Sequence, residues 1–133
     1  ATVPIGYGDG FPRALSNRGS ALIHGVRVPI VGRVSMDMIT LDVTNLPEPA
    51  RLYDEVILIG EQRWDAPNGE SRTDEINAME LADLVDTITY EITCDLTLRI
   101  PRVFVQGGRT VGTQTYRFGY QAADAVQSTT RPG

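Results

Sequence analysis

The sequence predicts a mainly β domain, a small barrel-like fold of short strands with one short helix. Short runs of β-branched and apolar residues are separated by glycine, proline and asparagine, as in small barrels and sandwiches. Only residues 74–86 carry apolar side chains at helical spacing. The 133 residues, 41% of them hydrophobic and 22% charged, are enough to form one folded core.

The first strands are predicted in the N-terminal third of the chain. The run TVPI leads into the glycine-rich stretch GYGDG, and two apolar runs meet at His24-Gly25, a dipeptide typical of a tight hairpin turn. Residues 34–43 continue as an extended segment, but the apolar side chains change face after Met38. This change predicts either a strand buried on both faces or a bulge.

The middle of the chain predicts a strand, a loop and the helix. The run EVILIG predicts a buried strand, and the polar residues 61–72 that follow it predict a loop. The helix of residues 74–86 has Thr73 or Asp74 as its N-cap, since both side chains accept hydrogen bonds from helical amides. Residues 87–105 are β-branched and aromatic and predict further strand structure.

The sequence divides into two parts by composition. Residues 1–106 hold the predicted strands and helix, whereas residues 107–133 lose apolar density and gain glycine, threonine and glutamine. We therefore expect a β domain followed by a looser extension that is partly disordered.

Composition excludes several classes of function. A net charge of −5 argues against nucleic acid as a partner, because phosphate contacts need a basic surface. No apolar run approaches the roughly 20 residues that cross a bilayer, so no membrane partner is expected. One cysteine and one histidine predict a reduced, cytoplasmic protein without a zinc site. All 12 basic residues are arginine, so no side chain can form a Schiff base with pyridoxal phosphate.

The stretch GYGDGFPR has two interpretations. Its glycines resemble a phosphate-binding loop, but the spacing is G-x-G-x-G and Pro12 follows before any helix could begin. The alternative is a tight turn that brings Tyr7, Asp9 and Arg13 together, either as a solvated turn or as a site for a small polar ligand.

Three other residues invite both a structural and a functional interpretation. Asp37 lies between two methionines, where it either faces a cleft with a partner or points to solvent. Ser35 has no histidine base nearby in the sequence, which makes a hydrolytic triad improbable. Tyr90 is either a half-buried core residue or a hydroxyl that reaches a substrate or a phosphate.

The stretches VPIGYGDGFPR, VGRVSMD, TITYE and RIPR, in this order, resemble the C-terminal domain of alanine racemases, bacterial pyridoxal-phosphate enzymes that interconvert L- and D-alanine. The resemblance spans roughly residues 1–105, about four fifths of the chain. It implies a longer protein with an N-terminal barrel whose lysine carries the cofactor covalently. It also implies a cytoplasmic, head-to-tail homodimer that makes D-alanine for peptidoglycan precursors. The family's catalytic tyrosine lies in an SYG motif that is absent here, so the resemblance implies no catalytic residue and an inactive isolated chain.

The resemblance also implies roles for particular residues. The backbone amide of Met36 holds the substrate carboxylate, with Ser35 beside it where many relatives have cysteine. Tyr7 and Tyr90 narrow the entrance, and the Tyr90 hydroxyl also binds the cofactor phosphate. Gly8 stands where many relatives have alanine. Four further residues match those that line the outer corridor of the entrance: Asp37, Arg33, Arg13 and Ile88.

Other functions remain open alongside the racemase. One is a catalytically silent β domain used for binding or assembly. Another is a racemase of broader amino-acid specificity, because the selecting pocket would lie largely in the N-terminal barrel. A related pyridoxal-phosphate decarboxylase is disfavoured, since those enzymes carry a reactive cysteine motif, whereas Cys94 is predicted to be a small core residue.

Overall fold

A computed structural model describes residues 1–123, which divide into a unit from Ala1 to Leu96 and a second unit that begins at Thr97. The first unit contains two 3-10 turns, Tyr7–Asp9 and Arg13–Leu15. Its strands and helices are β1 Thr2–Val3, β2 Ser20–Ile23, β3 Val26–Val31, β4 Ile39–Leu41, β5 Val56–Ile57, β6 Gly60–Asp65, β7 Ser71–Ile76, α1 Ala78–Val85 and α2 Thr89–Cys94.

The main sheet of the first unit is antiparallel, with strand order β1-β4-β3-β2-β5. Its two edge strands, β1 and β5, border the same cavity of about 470 Å³, so the sheet curls into a half-barrel whose edges do not pair. This confirms the predicted mainly β, barrel-like fold. The largest fully buried side chains form its core: Leu15, Leu22, Ile23, Val34, Ile39, Leu41, Ile76, Leu81 and Ile92.

The hairpin predicted at His24-Gly25 is confirmed. Strands β2 and β3 pair from Ser20 with Pro29 to Ile23 with Val26, and the two turn residues have φ angles of 53° and 67°. Two successive positive φ angles define the turn type that matches strand twist, and glycine at the second position makes it accessible. The turn packs on β7, because a Cβ added at Gly25 would lie 2.9 Å from the Arg72 carbonyl oxygen.

The change of face after Met38 has a different cause from the two that we predicted. Residues 32–38 leave the sheet and form a loop between β3 and β4, so the chain is neither a doubly buried strand nor a bulge there. Val34 is buried, whereas the Met36 and Met38 side chains are half exposed, at 51% and 52%. The apolar character of this loop therefore does not serve the core of the unit.

The prediction for residues 55–72 is partly wrong. The strand at EVILIG is reduced to β5, and Ile59 is 38% exposed. The predicted polar loop forms the hairpin of β6 and β7, which pair from Gly60 with Ile76 to Asp65 with Ser71. Only one side of this hairpin is covered, so most of its side chains are polar. Inward-facing Gln62, 3% exposed, is polar as well, which hides the alternation expected of a strand.

The predicted helix exists but is shorter than residues 74–86. It is α1, whose N-cap is Asn77 rather than Thr73 or Asp74, and the Asn77 side chain accepts a hydrogen bond of 2.9 Å from the Glu80 amide. The residues before it continue strand β7. Cross-strand pairing with β6 therefore extends to Ile76, beyond both caps that the sequence suggested.

The strand predicted across residues 87–105 is wrong in its first part. Residues Thr89–Cys94 form a second helix, α2, which contacts α1 and buries Ile92 in the core. Packing of the Ile92 side chain outweighs the β propensity of the neighbouring β-branched residues. Cys94 is exposed at the end of this helix, so the prediction that it belongs to the core is also wrong.

The second unit contains a three-stranded antiparallel sheet of β8 Arg102–Gln106, β9 Arg109–Thr115 and β10 Gly119–Ala122, in the order β10-β9-β8. Strands β9 and β10 lie within the predicted extension, and the contacts within the chain divide it after Leu96. Gly112 is buried under the Tyr120 ring, which also meets Phe104 edge to face at 5.5 Å. The expected disorder at 124–133 lies outside the described residues.

No helix of residues 1–123 is both long and apolar enough to span a membrane. The same residues contain no cluster of three or more histidine, cysteine, aspartate or glutamate side chains that could hold a metal ion.

Candidate functional site

The glycine-rich stretch of residues 6–10 forms a closed turn. Gly6 precedes the 3-10 turn and donates its amide to Asp9 Oδ2 over 2.9 Å, and Asp9 is buried, with 8% of its surface exposed. The Asp9 amide returns a hydrogen bond of 3.0 Å to the Gly6 carbonyl oxygen, and the Gly10 amide donates to Tyr7. Because these amides are used within the turn, they do not form a phosphate-binding loop. This agrees with the glycine spacing, which argued against such a loop.

Residues 35–38 form a second closed turn beside the first. The Ser35 amide and its hydroxyl both donate to the Met38 carbonyl oxygen over 3.0 Å, and Ser35 Oγ accepts the Met38 amide at 3.0 Å. The serine hydroxyl therefore braces the turn that carries Met36. Sequence reasoning placed Ser35 next to the substrate but did not anticipate this bracing contact.

The two turns are joined by their backbones. The Tyr7 amide donates to the Ser35 carbonyl oxygen over 3.0 Å, and the Gly8 amide donates to the Met36 carbonyl oxygen over 2.9 Å. A Cβ at Gly6 would lie 2.1 Å from the Ser35 oxygen, so only glycine permits this approach. Tyr7, 46% exposed, consequently lies in a turn that is held against the turn that carries Met36.

The amide of Met36 differs from its neighbours in the turn. Its carbonyl oxygen accepts the Gly8 amide, but within residues 1–123 its own N–H donates to no acceptor. The residue itself is half exposed. A backbone N–H of this kind binds a carboxylate or another oxygen acceptor.

The glycine-rich turn also packs on the end of helix α2. A Cβ at Gly10 would lie 2.0 Å from the Asp95 carbonyl oxygen, and the φ of Gly10 is 100°. Helix α2 carries Tyr90, 77% exposed, and follows Ile88, 63% exposed. No hydrogen bond joins Tyr90 to Tyr7 or Met36 in the described chain, so its hydroxyl is available to another molecule. Tyr90 is therefore not the half-buried core residue that one interpretation predicted.

The two arginines of the predicted corridor are placed by residues that sequence reasoning missed. Ser16 Oγ donates to the Arg13 carbonyl oxygen over 2.6 Å and accepts the Val34 amide at 2.9 Å. Asn17 Oδ1 accepts the Gly32 amide at 2.6 Å. These contacts tie the exposed Arg13 to the segment that contains the exposed Arg33. A serine and an asparagine in a loop carry no sequence signal for this role.

Asp37 is exposed, in the same turn as Met36 and Ser35. Its exposure places it at the surface of that turn. Together with the two arginines it gives this face both signs of charge.

The single histidine lies elsewhere. His24 is buried, its Nε2 lies 2.8 Å from Asp54 Oδ2, and its ring stacks on Trp64 at 4.3 Å. The Arg51 amide donates to the same Asp54 oxygen, and this bond, followed by the contact with His24, lowers the pKa of the Asp54 carboxyl. The described residues show no hydrogen bond between Ser35 and His24, so the two do not form a hydrolytic pair.

Comparison with known proteins decides the family. The family described as "Alanine racemase, C-terminal domain" matches residues 1–104. The chain belongs to the alanine racemase C-terminal domain family. Among curated relatives, the alanine racemase of Halothermothrix orenii is 48% identical over 104 residues, which are 78% of this chain and 25% of that protein.

Solved structures of alanine racemases share the fold. One from Bacillus anthracis with bound L-Ala-P superposes with a TM-score of 0.73 at 39% identity, over 88% of this chain and 27% of that one. One from Bartonella henselae with covalently bound pyridoxal phosphate gives 0.60 at 36% identity, over 72% and 23%. The chain thus spans about a quarter of the length of these alanine racemases. The share matched in the first structure is larger than residues 1–106 could supply, so the likeness continues into the predicted extension.

Proposed function

We propose that this chain is the C-terminal domain of a pyridoxal-phosphate-dependent alanine racemase that converts L-alanine to D-alanine for peptidoglycan precursors. In that enzyme it supplies substrate-carboxylate binding, gating of the entrance and dimer contacts. The observation that carries the proposal is the Met36 N–H, which has no acceptor in residues 1–123 and lies in a turn whose backbone is hydrogen-bonded to that of the half-exposed Tyr7.

The Met36 N–H binds the carboxylate of alanine, with Ser35 beside it. A charge-assisted hydrogen bond from a backbone amide is short and directional, so it fixes which face of the α-carbon meets the catalytic groups. Racemisation removes a proton from one face and returns it to the other, which requires this orientation and the exclusion of water. Neither catalytic group belongs to this chain.

Pyridoxal phosphate suits this chain as a cofactor held mainly by another domain. The chain has no lysine, so the covalent bond to the cofactor is made by the N-terminal barrel of the longer protein. The exposed Tyr90 hydroxyl, which has no partner in the described residues, donates to the cofactor phosphate. When bound, the cofactor delocalises the electron pair left on the α-carbon after proton removal.

The entrance is built from side chains on loops of the first unit and on helix α2. Tyr7 and Tyr90 narrow it, and a ring of tyrosines limits access to a small amino acid. The outer corridor is lined by Arg13, Arg33, Asp37 and Ile88. The two arginines and the aspartate give it both signs of charge, which suits a zwitterionic substrate.

The exposed apolar side chains of the site support a covering partner. Tyr7, Met36, Met38 and Tyr90 are all 46% or more exposed, which is unusual for a set of large apolar residues on neighbouring segments. We propose that the barrel mouth of a second subunit, in a head-to-tail homodimer, covers them in the cytoplasm. The chain's own N-terminal barrel is its other partner.

Reunion of the chain with the N-terminal part of its longer protein tests the proposal. The 133 residues alone, with pyridoxal phosphate and L-alanine, are expected to form no D-alanine, and the reunited protein is expected to form it. A reunited protein that binds the cofactor but racemises nothing would favour a silent binding or assembly domain. Equal rates with L-serine and L-alanine would instead favour a racemase of broader specificity.

A further inference from the structure

Asp9 is the only buried acidic side chain among residues 1–123, with 8% of its surface exposed. Burial of a carboxylate is unfavourable unless hydrogen bonds compensate for the lost water. One such bond is the Gly6 amide, 2.9 Å from Asp9 Oδ2. Gly6 has no side chain, and its φ of −158° is ordinary extended backbone, so Asp9 is what fixes the direction of its N–H.

Fixing Gly6 also fixes the two amides that follow it. Tyr7 and Gly8 donate across the gap to Ser35 and Met36, over 3.0 Å and 2.9 Å. Both bonds depend on the close approach of Gly6, whose Cα lies against the Ser35 carbonyl group. The Asp9 carboxylate therefore helps to determine, through Gly6, the position of the turn that carries Met36.

The peptide unit between Ser35 and Met36 links these contacts to the substrate amide. Its carbonyl oxygen belongs to Ser35 and its N–H to Met36, and in a planar trans peptide the two point in opposite directions. The Tyr7 amide holds the oxygen, so the Met36 N–H points away from the glycine-rich turn. Hydrogen bonding at the oxygen also polarises the unit and strengthens the N–H as a donor.

We propose that Asp9 is a positioning residue for substrate binding, which aims the Met36 N–H at the substrate carboxylate through Gly6 and Tyr7. This proposal rests on the function proposed above, because that function assigns the substrate to Met36. Asp9 does not itself contact the substrate. Its loss misdirects the N–H and shifts Tyr7, so it weakens binding more than it slows the proton transfers made by groups of the barrel.

Kinetics of the longer racemase test the proposal. Asp9→Ala is expected to raise KM for L-alanine about tenfold and to change kcat by less than about twofold, since it misaligns one charge-assisted hydrogen bond. Asp9→Asn keeps an oxygen acceptor for the Gly6 amide and is expected to restore KM to within about twofold of the wild type. Asp65→Ala removes an exposed aspartate in the β6–β7 hairpin, outside the site, and serves as the control, with unchanged KM. An unchanged KM in Asp9→Ala, or equal losses in Asp9→Ala and Asp9→Asn, would overturn the proposal.

Amide hydrogen exchange on the 133-residue chain provides a readout without turnover. In the wild type, the Tyr7 and Gly8 amides are expected to exchange slowly and the Met36 amide rapidly. In Asp9→Ala, or in the nearly isosteric Asp9→Leu if the alanine variant does not fold, Tyr7 and Gly8 are expected to exchange faster. Fast exchange at both residues in the wild type would refute the positioning role.

The two experiments separate this proposal from the proposed function. A longer protein that does not racemise alanine would contradict the function, while the exchange pattern would still report whether Asp9 holds the turn. A racemase with normal KM in Asp9→Ala would leave the function standing and remove the role of Asp9.

Discussion

Individual residues determine what this face can bind, and Tyr90 is more exposed than Tyr7, Met36 or Ile88, at 77%. If its hydroxyl binds the cofactor phosphate, Tyr90→Phe in the longer enzyme removes one hydrogen bond to a charged group. We expect cofactor affinity to fall, or KM to rise, by about tenfold. Cofactor occupancy and steady-state kinetics measure the effect, with Tyr53→Phe, an exposed tyrosine in another loop, as the matched control. Unchanged occupancy and kinetics would remove the assignment.

Tyr53 is a strained residue. It is 94% exposed and has a φ of 73°. Aromatic residues rarely adopt a positive φ, whereas glycine adopts it readily. Tyr53→Gly is expected to raise the free energy of unfolding by about 0.5–1 kcal/mol, measured by urea denaturation of the chain. Leu52→Gly, at the neighbouring exposed position without a positive φ, is expected to give no gain. Stabilisation by both variants, or by neither, would show that the backbone strain is not the cause.

Asp54 makes the free energy of unfolding depend on pH. Its pKa is lowered in the folded chain by the Arg51 amide and then by His24, so its contribution is complete above its usual pKa and is lost as the pH falls through the lowered one. Asp54→Asn is therefore expected to destabilise the chain at about pH 6 and to approach the wild type at about pH 2. Urea denaturation at both pH values measures the gap. A gap that is constant with pH would contradict this assignment.

The candidate site residues could be named from the sequence, but the contacts that hold them could not. Motif resemblance identified Met36, Tyr7 and Tyr90 without any geometry. The bracing by Ser16 and Asp9 depends on loops that meet only in the folded chain, and single loop residues carry no periodic signal.

Elements were predictable where local chemistry decides them. The His24-Gly25 turn requires two positive φ angles, and its sequence reports this directly. Helix α2 was missed because its threonines and isoleucine favour strands locally, whereas contact with α1 favours a helix. Strands β6 and β7 were missed because they bury only one side and place the polar Gln62 inside.

The start of helix α1 gives a test at the scale of an element. Asn77 caps the helix by accepting the Glu80 amide, whereas Thr73, which the sequence suggested as a cap, lies in β7. Asn77→Ala is expected to lower the free energy of unfolding by about 1 kcal/mol. Thr73→Ala, at an exposed strand position, is expected to change it by less than about 0.5 kcal/mol. Thermal or urea denaturation compares the two, and a larger loss at Thr73 would contradict the assigned boundary.

At the scale of the molecule, the first unit collects the predicted site residues on loops and a short helix outside its half-barrel. The predicted mainly β class is confirmed, since short apolar runs separated by turn residues favour packed strands. The contacts within the chain divide it after Leu96, whereas its composition changes near residue 107. The polar β9 and β10 resemble a linker in composition, although backbone pairing holds them together.

The central claim is that the Met36 N–H of this chain holds the substrate carboxylate in a racemase. Hydrogen exchange of the Met36 amide in the longer, cofactor-loaded enzyme tests it most directly, with and without propionate, a carboxylate of alanine's size. The account predicts rapid exchange in the free enzyme and exchange at least about tenfold slower at saturating propionate, with little change at Thr40 on β4. A Met36 amide that is already protected without propionate, or that is unaffected by it, would contradict the claim.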